Sequence, residues 1–208
     1  MFVLALGFVQ CYGQMPAPIE IAPGVSLPAQ SDATVFCLDS VDGKSLLVRI
    51  PPHEVVLGTN PLSNALSTVM RATAEVDGVK SETSISSPST VCFVRLTGDV
   101  EFTRNRIHLL ALEATRKRRQ ITYFSMNVLG GHRKRNMYEV PADIEVITGS
   151  MWVKITPKAP LIPGEFAIAF LPKDPNQQPD LVYDFTVPDS TNPSNSAAKS
   201  APPPAQKN

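Results

Sequence analysis

The sequence predicts an all-β protein with one domain, and three observations support this fold class. The chain of 208 residues carries 20 prolines, and proline inside a helix removes a hydrogen bond and clashes with the preceding turn. About nine short apolar runs, most of them alternating, recur at spacings of roughly 8 to 15 residues. Gly, Pro and Asn separate these runs. Together they favour an antiparallel β-sandwich of immunoglobulin-like type, with a closed barrel as the alternative.

The first residues resemble the core of a signal peptide. Phe2–Val9 is apolar and far too short to span a bilayer. Cys11 and Gly13 are small residues at the −3 and −1 positions of a cleavage site. No Lys or Arg precedes the run, as expected for a truncated leader, and a buried first strand is the alternative. We expect residues 1–13 to be a signal peptide. The protein is then extracytoplasmic, periplasmic or secreted, with no membrane span in the mature chain.

Cleavage removes Cys11 and leaves Cys37 and Cys92. An even pair of cysteines in an exported chain predicts a disulfide. Two separate buried thiols are an equally weighted alternative. The spacing contains no CxxC and no Cys/His metal pattern, so neither a metal site nor a cofactor is predicted.

The chain divides by composition into three parts after the leader. Residues 14–32 are rich in Pro, Ala and Gly and are predicted to be an extended segment. The sandwich domain is predicted over residues 33–188. Residues 189–208 hold almost no large apolar side chain and include Pro202-Pro203-Pro204, so a disordered tail is predicted there.

Two Asp-Gly dipeptides lie between apolar-rich runs, at Asp42-Gly43 and at Asp77-Gly78. Asp-Gly is a strong hairpin signal because the two central positions of a type I′ turn both need positive φ. The predicted hairpins join Ala33–Val41 to Ser45–Ile50, and Met70–Val76 to Val79–Ile85.

Three strands are predicted in the middle of the domain. Thr90–Leu96 alternates and is predicted to be an inner strand. Ile107–Thr115 also fits a helical stripe, but strands flank it on both sides, so we predict a strand buried on both faces. Ile121–Leu129 alternates with Phe124 facing inward and Tyr123 facing outward.

Two hairpins are predicted near the C-terminus. The first joins Ile144–Ile147 to Ser150–Thr156 and places Trp152 on the outer face. The second joins Phe166–Leu171 to Leu181–Val187. Its alternation predicts one buried face and an opposite face that carries Ala167 and Asp184. The residues of the predicted buried face are Phe166, Ile168, Phe170, Tyr183 and Phe185.

The same region carries a resemblance. Pro157-Lys158-Ala159-Pro160-Leu161-Ile162-Pro163-Gly164-Glu165-Phe166-Ala167, followed by Asp184-Phe185, resembles a run found in uncharacterised exported bacterial proteins before a final hairpin. The resemblance implies an extracytoplasmic sandwich and assigns no activity.

The most conspicuous charge feature is basic. Nine Lys or Arg residues and one acid lie between Arg104 and Arg135. A patch for nucleic acid or acidic polysaccharide is one interpretation. Its candidate residues are Arg116, Arg118, Arg119, Arg133 and Arg135. The favoured alternative is two solvated turns about 30 Å apart, at ~3.3 Å per residue along the intervening strand.

An aromatic platform is the second candidate surface. Trp152, with Tyr123 and Tyr138 as neighbours, could receive a sugar ring or a protein partner. The favoured alternative places Trp152 under the Lys154 stem or under a crossing loop.

Catalytic signals are weak. His53, His108 and His132 have no partners at a recognisable spacing, and the chain contains no HExxH and no Gly-x-Ser-x-Gly. Glu165 and Asp184 belong to the two strands of the last hairpin and could approach each other across it, as paired glycosidase acids do. We give more weight to a turn-stabilising Glu165 and a solvated Asp184.

The sequence therefore predicts an exported, non-catalytic binding or structural module of the cell envelope. Its partner would be another envelope protein or a polysaccharide. The net charge of zero gives no global field that would attract an anionic partner. A binder of anionic polymers and a hydrolase with an unrecognised site are the alternatives.

Overall fold

The computed structural model describes residues 18–28, 34–59, 69–97, 103–127, 133–174 and 177–189. The predicted signal peptide lies outside these residues, as does the predicted tail except for Asp189. Over the described ranges the protein is all-β, as predicted, and no helix is long and apolar enough to cross a membrane. The strands are β1 (Ile19–Ala22), β2 (Val25–Leu27), β3 (Val35–Val41), β4 (Lys44–Ile50), β5 (Pro52–Glu54), β6 (Val56–Thr59), β7 (Val69–Asp77), β8 (Val91–Arg95), β9 (Ile107–Ala114), β10 (Arg118–Asn127), β11 (Arg133–Glu139), β12 (Ala142–Val146), β13 (Trp152–Pro157), β14 (Gly164–Phe170) and β15 (Leu181–Val187).

The strands form two large sheets and one small hairpin, and all their ladders are antiparallel. A five-stranded sheet has the order β12-β13-β8-β3-β4, and an eight-stranded sheet has the order β5-β15-β14-β9-β11-β10-β7-β6. The eight-stranded sheet is larger than either sheet of the seven- or nine-stranded immunoglobulin fold. An immunoglobulin-like topology therefore stays a prediction.

The main core lies between the two sheets. The five-stranded sheet contributes inward residues of β3, β8 and β13, and the eight-stranded sheet contributes those of β9, β14 and β15. Cys37 on β3 lies directly opposite Cys92 on β8, and a disulfide joins them with a Cα–Cα distance of 4.0 Å. The bridge therefore ties two neighbouring strands of one sheet from inside the core.

The eight-stranded sheet bends back on itself. Its second apolar core joins Val76 of β7 and Ile121 of β10 to Ala167 of β14 and Val182 of β15. Strands β6, β7, β10 and β11, which we call the outer lobe, therefore cover the face of β14 and β15 that points away from the main core. The fold has a third layer there.

The hairpin of β1 and β2 covers the outer face of the five-stranded sheet. Leu27 is buried against Phe36, Phe93 and Trp152. The sequence predicted only an extended segment over residues 14–32. The turn is made by Pro23 and Gly24, whose φ of 73° favours glycine.

One of the two Asp-Gly predictions is confirmed and the other is wrong. Asp42 and Gly43 have φ of 52° and 73° between β3 and β4, as a type I′ turn requires. Gly78 also has positive φ, but residues 79–85 form no strand of the outer lobe. They run along β15 instead, where the Ile85 amide donates to the Thr186 carbonyl at 2.9 Å. In this position Ile85 is buried in the main core and its amide is hydrogen-bonded to β15, whereas pairing with β7 would not place it in that core.

The other predicted strands are present, and the face assignment of the last hairpin is confirmed. Phe166, Ile168, Tyr183 and Phe185 are buried in the main core, and Phe170 lies half-buried at its margin. The opposite face is also buried because the outer lobe covers it. Strands β5, β6 and β11 were not predicted.

Candidate functional site

A cluster of charged side chains is buried between the outer lobe and β14–β15. Arg119 of β10 is 2% exposed and Asp184 of β15 is fully buried. Arg119 Nη2 lies 3.0 Å from Asp184 Oδ2, and its Nη1 lies 3.5 Å from Glu165 Oε2. His53 of β5 completes the group, because its Nδ1 contacts Asp184 Oδ1. We call these four residues the ionic cluster.

Neighbouring polar groups hold the carboxylates of the ionic cluster. The Thr186 hydroxyl donates to Glu165 Oε1 at 2.7 Å, and the Ser81 amide donates to Glu165 Oε2 at 2.8 Å. The Ser81 hydroxyl donates to the main-chain oxygen of Asp184 at 2.9 Å. Glu165 therefore anchors the segment that follows β7, and the expectation that it stabilises its own turn finds no support in these contacts.

The expectation of a solvated Asp184 is wrong. Its side chain does lie on the face opposite Tyr183 and Phe185, as the alternation predicts, but the outer lobe closes over that face. A buried carboxylate is costly unless a cation and hydrogen bonds compensate it. Arg119 provides the cation, 3.0 Å from Asp184 Oδ2, and His53 provides a hydrogen bond to Oδ1.

The ionic cluster is arranged as a cross-link between layers. Paired glycosidase acids need an open cleft that admits the substrate between them, whereas Asp184 has no solvent access and both acids face Arg119. His53 is 30% exposed and oriented by a buried Asp, as a catalytic base would be. Within the part of the chain that the structure describes, no hydroxyl or thiol is hydrogen-bonded to that histidine.

The four candidate residues of the basic patch whose side chains the structure describes do not form one surface. Arg116 is exposed, but Arg118 pairs with two carboxylates of β7, at 2.9 and 3.3 Å. Arg119 is buried in the ionic cluster. Arg135 donates from Nη2 to the main-chain oxygens of Asp174 and Gln177, each at 2.7 Å. The side chain of the fifth candidate, Arg133, lies outside the described residues.

The predicted aromatic platform at Trp152 is wrong. Trp152 is 4% exposed and packs against Phe36, with ring centroids 5.9 Å apart. It does lie on the outer face of its sheet, but β1 and β2 cover that face, so the alternative of a crossing segment is confirmed. The side chain of Tyr123 lies outside the described residues.

Among the described side chains, an exposed aromatic ring is found at Tyr138, in a groove along β11. This β11 groove has a volume of about 370 Å³, and its lining is Arg135, Asn136, Met137, Tyr138 and Glu139. Tyr138 is 57% exposed. The residue opposite it on β9 is Ala111, which covers little of the ring.

A histidine and a carboxylate flank the β11 groove. Glu139 lies opposite Leu110 of β9, and His108 is two residues away on the same face. The diagonal pair is in contact, with His108 Nδ1 at 2.8 Å from Glu139 Oε1. His108 thereby orients a groove carboxylate that is 52% exposed.

The β11 groove lies where β11 changes neighbours. Residues 133–137 pair with β10, whereas Tyr138 and Glu139 pair with β9. Among the described strands, none pairs with the second edge of residues 133–137. The groove therefore follows a strand edge, bordered by side chains of both faces.

Sequence reasoning missed this groove because it missed β11. Arg133–Glu139 is polar at most positions and shows no apolar alternation. The sequence feature that could have indicated the groove is Tyr138, an aromatic residue close to Asn136 and Glu139 in an otherwise polar segment.

The described residues contain no group of three or more His, Cys, Asp or Glu side chains that could hold a metal ion. Comparison with protein-family models, with curated proteins and with solved structures gives no match for this chain.

Proposed function

We propose that the chain is an exported, non-catalytic binding module of the cell envelope. The observation that carries the proposal is the contrast between its two groups of polar side chains. The four residues of the ionic cluster are paired with one another between two layers, whereas the second histidine–carboxylate pair, His108 and Glu139, lies at the β11 groove. The β11 groove is an open concave surface among the described residues, and it carries the exposed Tyr138. Sites of this kind bind through shape and a few placed polar groups.

The Cys37–Cys92 disulfide supports the compartment. Disulfides persist in oxidising compartments and are rare in the bacterial cytoplasm. The apolar run at the N-terminus and the resemblance of the last third to exported proteins point the same way. The proposed envelope location rests on the disulfide, the apolar run and the resemblance. The proposed non-catalytic role rests on the contrast between the ionic cluster and the β11 groove.

Cell fractionation combined with thiol trapping tests the compartment. The full chain is expressed in a bacterium, the cells are fractionated, and unfolded protein is treated with a thiol-reactive mass tag. We expect the protein in the envelope or periplasmic fraction with Cys37 and Cys92 unlabelled. A cytoplasmic protein in which both cysteines react would contradict the proposal.

Sedimentation with envelope fragments tests the binding role. The purified full chain is mixed with washed bacterial envelope fragments, and bound protein is measured in the pellet. We expect saturable binding that heat-denatured protein lacks. Absence of saturable binding would contradict a binding role, whatever the compartment.

A further inference from the structure

We propose that copies of this chain join edge to edge, with β4 of one copy paired in parallel with β12 of the next. These two strands are the outermost members of the five-stranded sheet. Among the described strands, neither has a ladder on its outer side. Self-association of this kind goes beyond the binding function proposed above. Three observations support it: the charges of the two strands, the side chains on their faces and the direction of their backbone groups.

The first observation is that the two edge strands carry opposite charges. Strand β4 contains Lys44 and Arg49 and no acid, whereas β12 contains Asp143 and Glu145 and no base. Charges of one sign on both edges would oppose every pairing between copies. Opposite charges oppose only the pairing of two β4 strands or of two β12 strands. They therefore favour β4 against β12, and the occupant of each edge is a second copy of this chain.

The acids of β12 already have lysine partners on the side of β13. Glu145 Oε2 lies 3.9 Å from Lys154 Nζ, and Asp143 Oδ1 lies 3.3 Å from Lys158 Nζ. The side chains of Glu145 and Asp143 are 67% and 59% exposed, and ion pairs this exposed contribute little to stability. A carboxylate accepts several hydrogen bonds. Each acid can therefore receive the exposed Arg49 of a neighbouring copy from the side opposite its lysine.

The second observation is that the two strands match on both faces. On β4, Val48 packs against the main core and Arg49 is exposed on the opposite face. On β12, Ile144 packs against the main core and Glu145 is exposed on the opposite face. With the main-core faces of two copies side by side, Arg49 can lie beside Glu145. This register also sets Val48 beside Ile144, and it covers part of Leu46, which is 49% exposed.

The third observation is the direction of the backbone groups, first on β4. Asp42 and Gly43 form a two-residue turn, so Val41 and Lys44 on either side of it are a hydrogen-bonded pair. Hydrogen-bonded pairs then recur at every second residue of β4. The residues between them direct N–H and C=O to the open edge, and these residues are Ser45, Leu47 and Arg49. The β1–β2 hairpin packs over the Leu47 side chain but has no ladder with β4.

The backbone groups of β12 have the matching phase. The Ile147 amide donates to the carbonyl of Trp152 opposite, at 2.9 Å, so every second residue back from Ile147 bonds to β13. The residues that face the open edge are Ala142, Ile144 and Val146. In a parallel ladder a residue bonds to the two residues that flank the one opposite it. Arg49, placed beside Glu145, therefore meets outward groups on both sides.

Parallel pairing follows from the order of the sheet. All four ladders of the five-stranded sheet are antiparallel, so its first and fifth strands, β12 and β4, run in the same direction. Each copy uses a different strand for each neighbour, so both ends of the assembly stay open. Such a head-to-tail contact forms a ring or a growing filament. Because the ladder is short, we expect a dissociation constant of about 0.1 mM for one contact.

The test is sedimentation velocity of the purified full chain between about 10 µM and about 1 mM, a range that brackets the expected dissociation constant. We expect the weight-average mass to rise with concentration and to pass twice the mass of one chain. Amide hydrogen exchange on the same samples locates the contact. Exchange should slow at the high concentration for the outward amides of both edges, which are Ser45, Leu47, Arg49, Ala142, Ile144 and Val146.

Charge-exchange variants identify the two edges. Arg49→Glu and Glu145→Arg each place two like charges side by side, so each should weaken association about tenfold or more. Arg116→Glu and Glu82→Arg make the same charge changes at exposed residues outside both strands. These two matched controls should associate within about threefold of the parent protein.

A mixture of the two edge variants separates lost contact from lost folding. In an equimolar mixture, the altered β4 of Arg49→Glu meets the altered β12 of Glu145→Arg, and the unaltered edges also remain complementary. Association should therefore return to within about threefold of the parent level, because every junction between unlike variants again joins opposite charges. A thermal melt followed by circular dichroism confirms that each variant is folded.

Each other outcome overturns the proposal. A chain that stays monomeric at about 1 mM has no such contact, and a mass that levels off at the dimer indicates pairing of like surfaces. The proposal also falls if the edge variants associate like their controls, if the mixture does not recover, or if exchange slows elsewhere and not at the two edges. These results leave the compartment and the envelope binding to their own tests, so the two proposals fail separately.

Discussion

The main core and the interface under the outer lobe hold their layers together in different ways. The main core joins two sheets through large apolar side chains such as Phe166 and Phe185, whose stacked rings are 5.8 Å apart. The second core contains two alanines, Ala167 and Ala169, among its eight buried members, and a buried charge pair lies beside it. The two large sheets are therefore held together by the burial of large apolar side chains, whereas the outer lobe is held by a smaller apolar core together with a buried set of charges.

This difference predicts how substitutions in each region should change the stability of the protein. Apolar burial is non-directional, so a lost side chain in the main core weakens the whole domain. A buried ion pair is a weak source of net stability, but removal of one partner leaves an uncompensated charge. Damage to the ionic cluster should therefore loosen the outer lobe before it unfolds the sandwich.

The largest expected loss of stability comes from a substitution in the main core. Phe185→Ala should lower the free energy of unfolding by about 3 to 5 kcal/mol, because the ring is fully buried. Urea denaturation followed by circular dichroism measures it. Leu181→Ala, on the same strand but 43% exposed, should cost less than about 1 kcal/mol. Equal losses for the two variants would contradict the placement of the core.

The disulfide should contribute the next largest effect. Removing a cross-link between residues separated by 55 positions should cost about 2 to 4 kcal/mol, mainly by enlarging the unfolded ensemble. The double variant Cys37→Ala/Cys92→Ala gives this value in the same denaturation experiment. The parent protein in reductant serves as its control and should lose a similar amount. A parent protein insensitive to reductant would speak against the bridge.

A smaller effect is expected inside the outer lobe. A Cβ atom at Gly58 would lie 2.5 Å from Thr73 Oγ1 and 2.8 Å from Glu75 Oε1. Gly58→Ala should therefore cost about 1 to 2 kcal/mol through overpacking. Thr73→Ala in the same chain removes the nearest atom and should restore part of the loss. A Gly58→Ala variant as stable as the parent would show that both side chains move away freely.

Much of the sandwich could be predicted from the sequence because its signals are local. The alternation from Phe166 to Val187 assigns both faces of the last hairpin. Asp42-Gly43 specifies the turn between β3 and β4, because both of its residues adopt positive φ. Asp77-Gly78 shows the limit of such signals. The dipeptide turns the chain, but the partner of the next segment is β15, more than a hundred residues away.

The ionic cluster and the β11 groove could not be predicted because their causes are not local. Arg119 stands in a basic run that resembles a solvated turn, and its burial depends on Glu165 and Asp184. Asp184 alternates with apolar residues as a solvated side chain would, and only the bend of the eight-stranded sheet buries it. Strand β11 lacks apolar alternation because it lies where the sheet changes neighbours.

The most direct test of the account is a double-mutant cycle on Arg119 and Asp184, read by denaturation and by amide hydrogen exchange. Arg119→Met and Asp184→Asn should each cost about 3 kcal/mol or more, because each leaves the opposite charge buried. The double variant should cost less than the sum by about 2 kcal/mol or more. In Asp184→Asn, exchange protection should fall first in β7 and β10 and later in β8 and β13. Additive losses within about 0.5 kcal/mol, or protection that falls equally in both regions, would contradict the claim that charges dock the outer lobe.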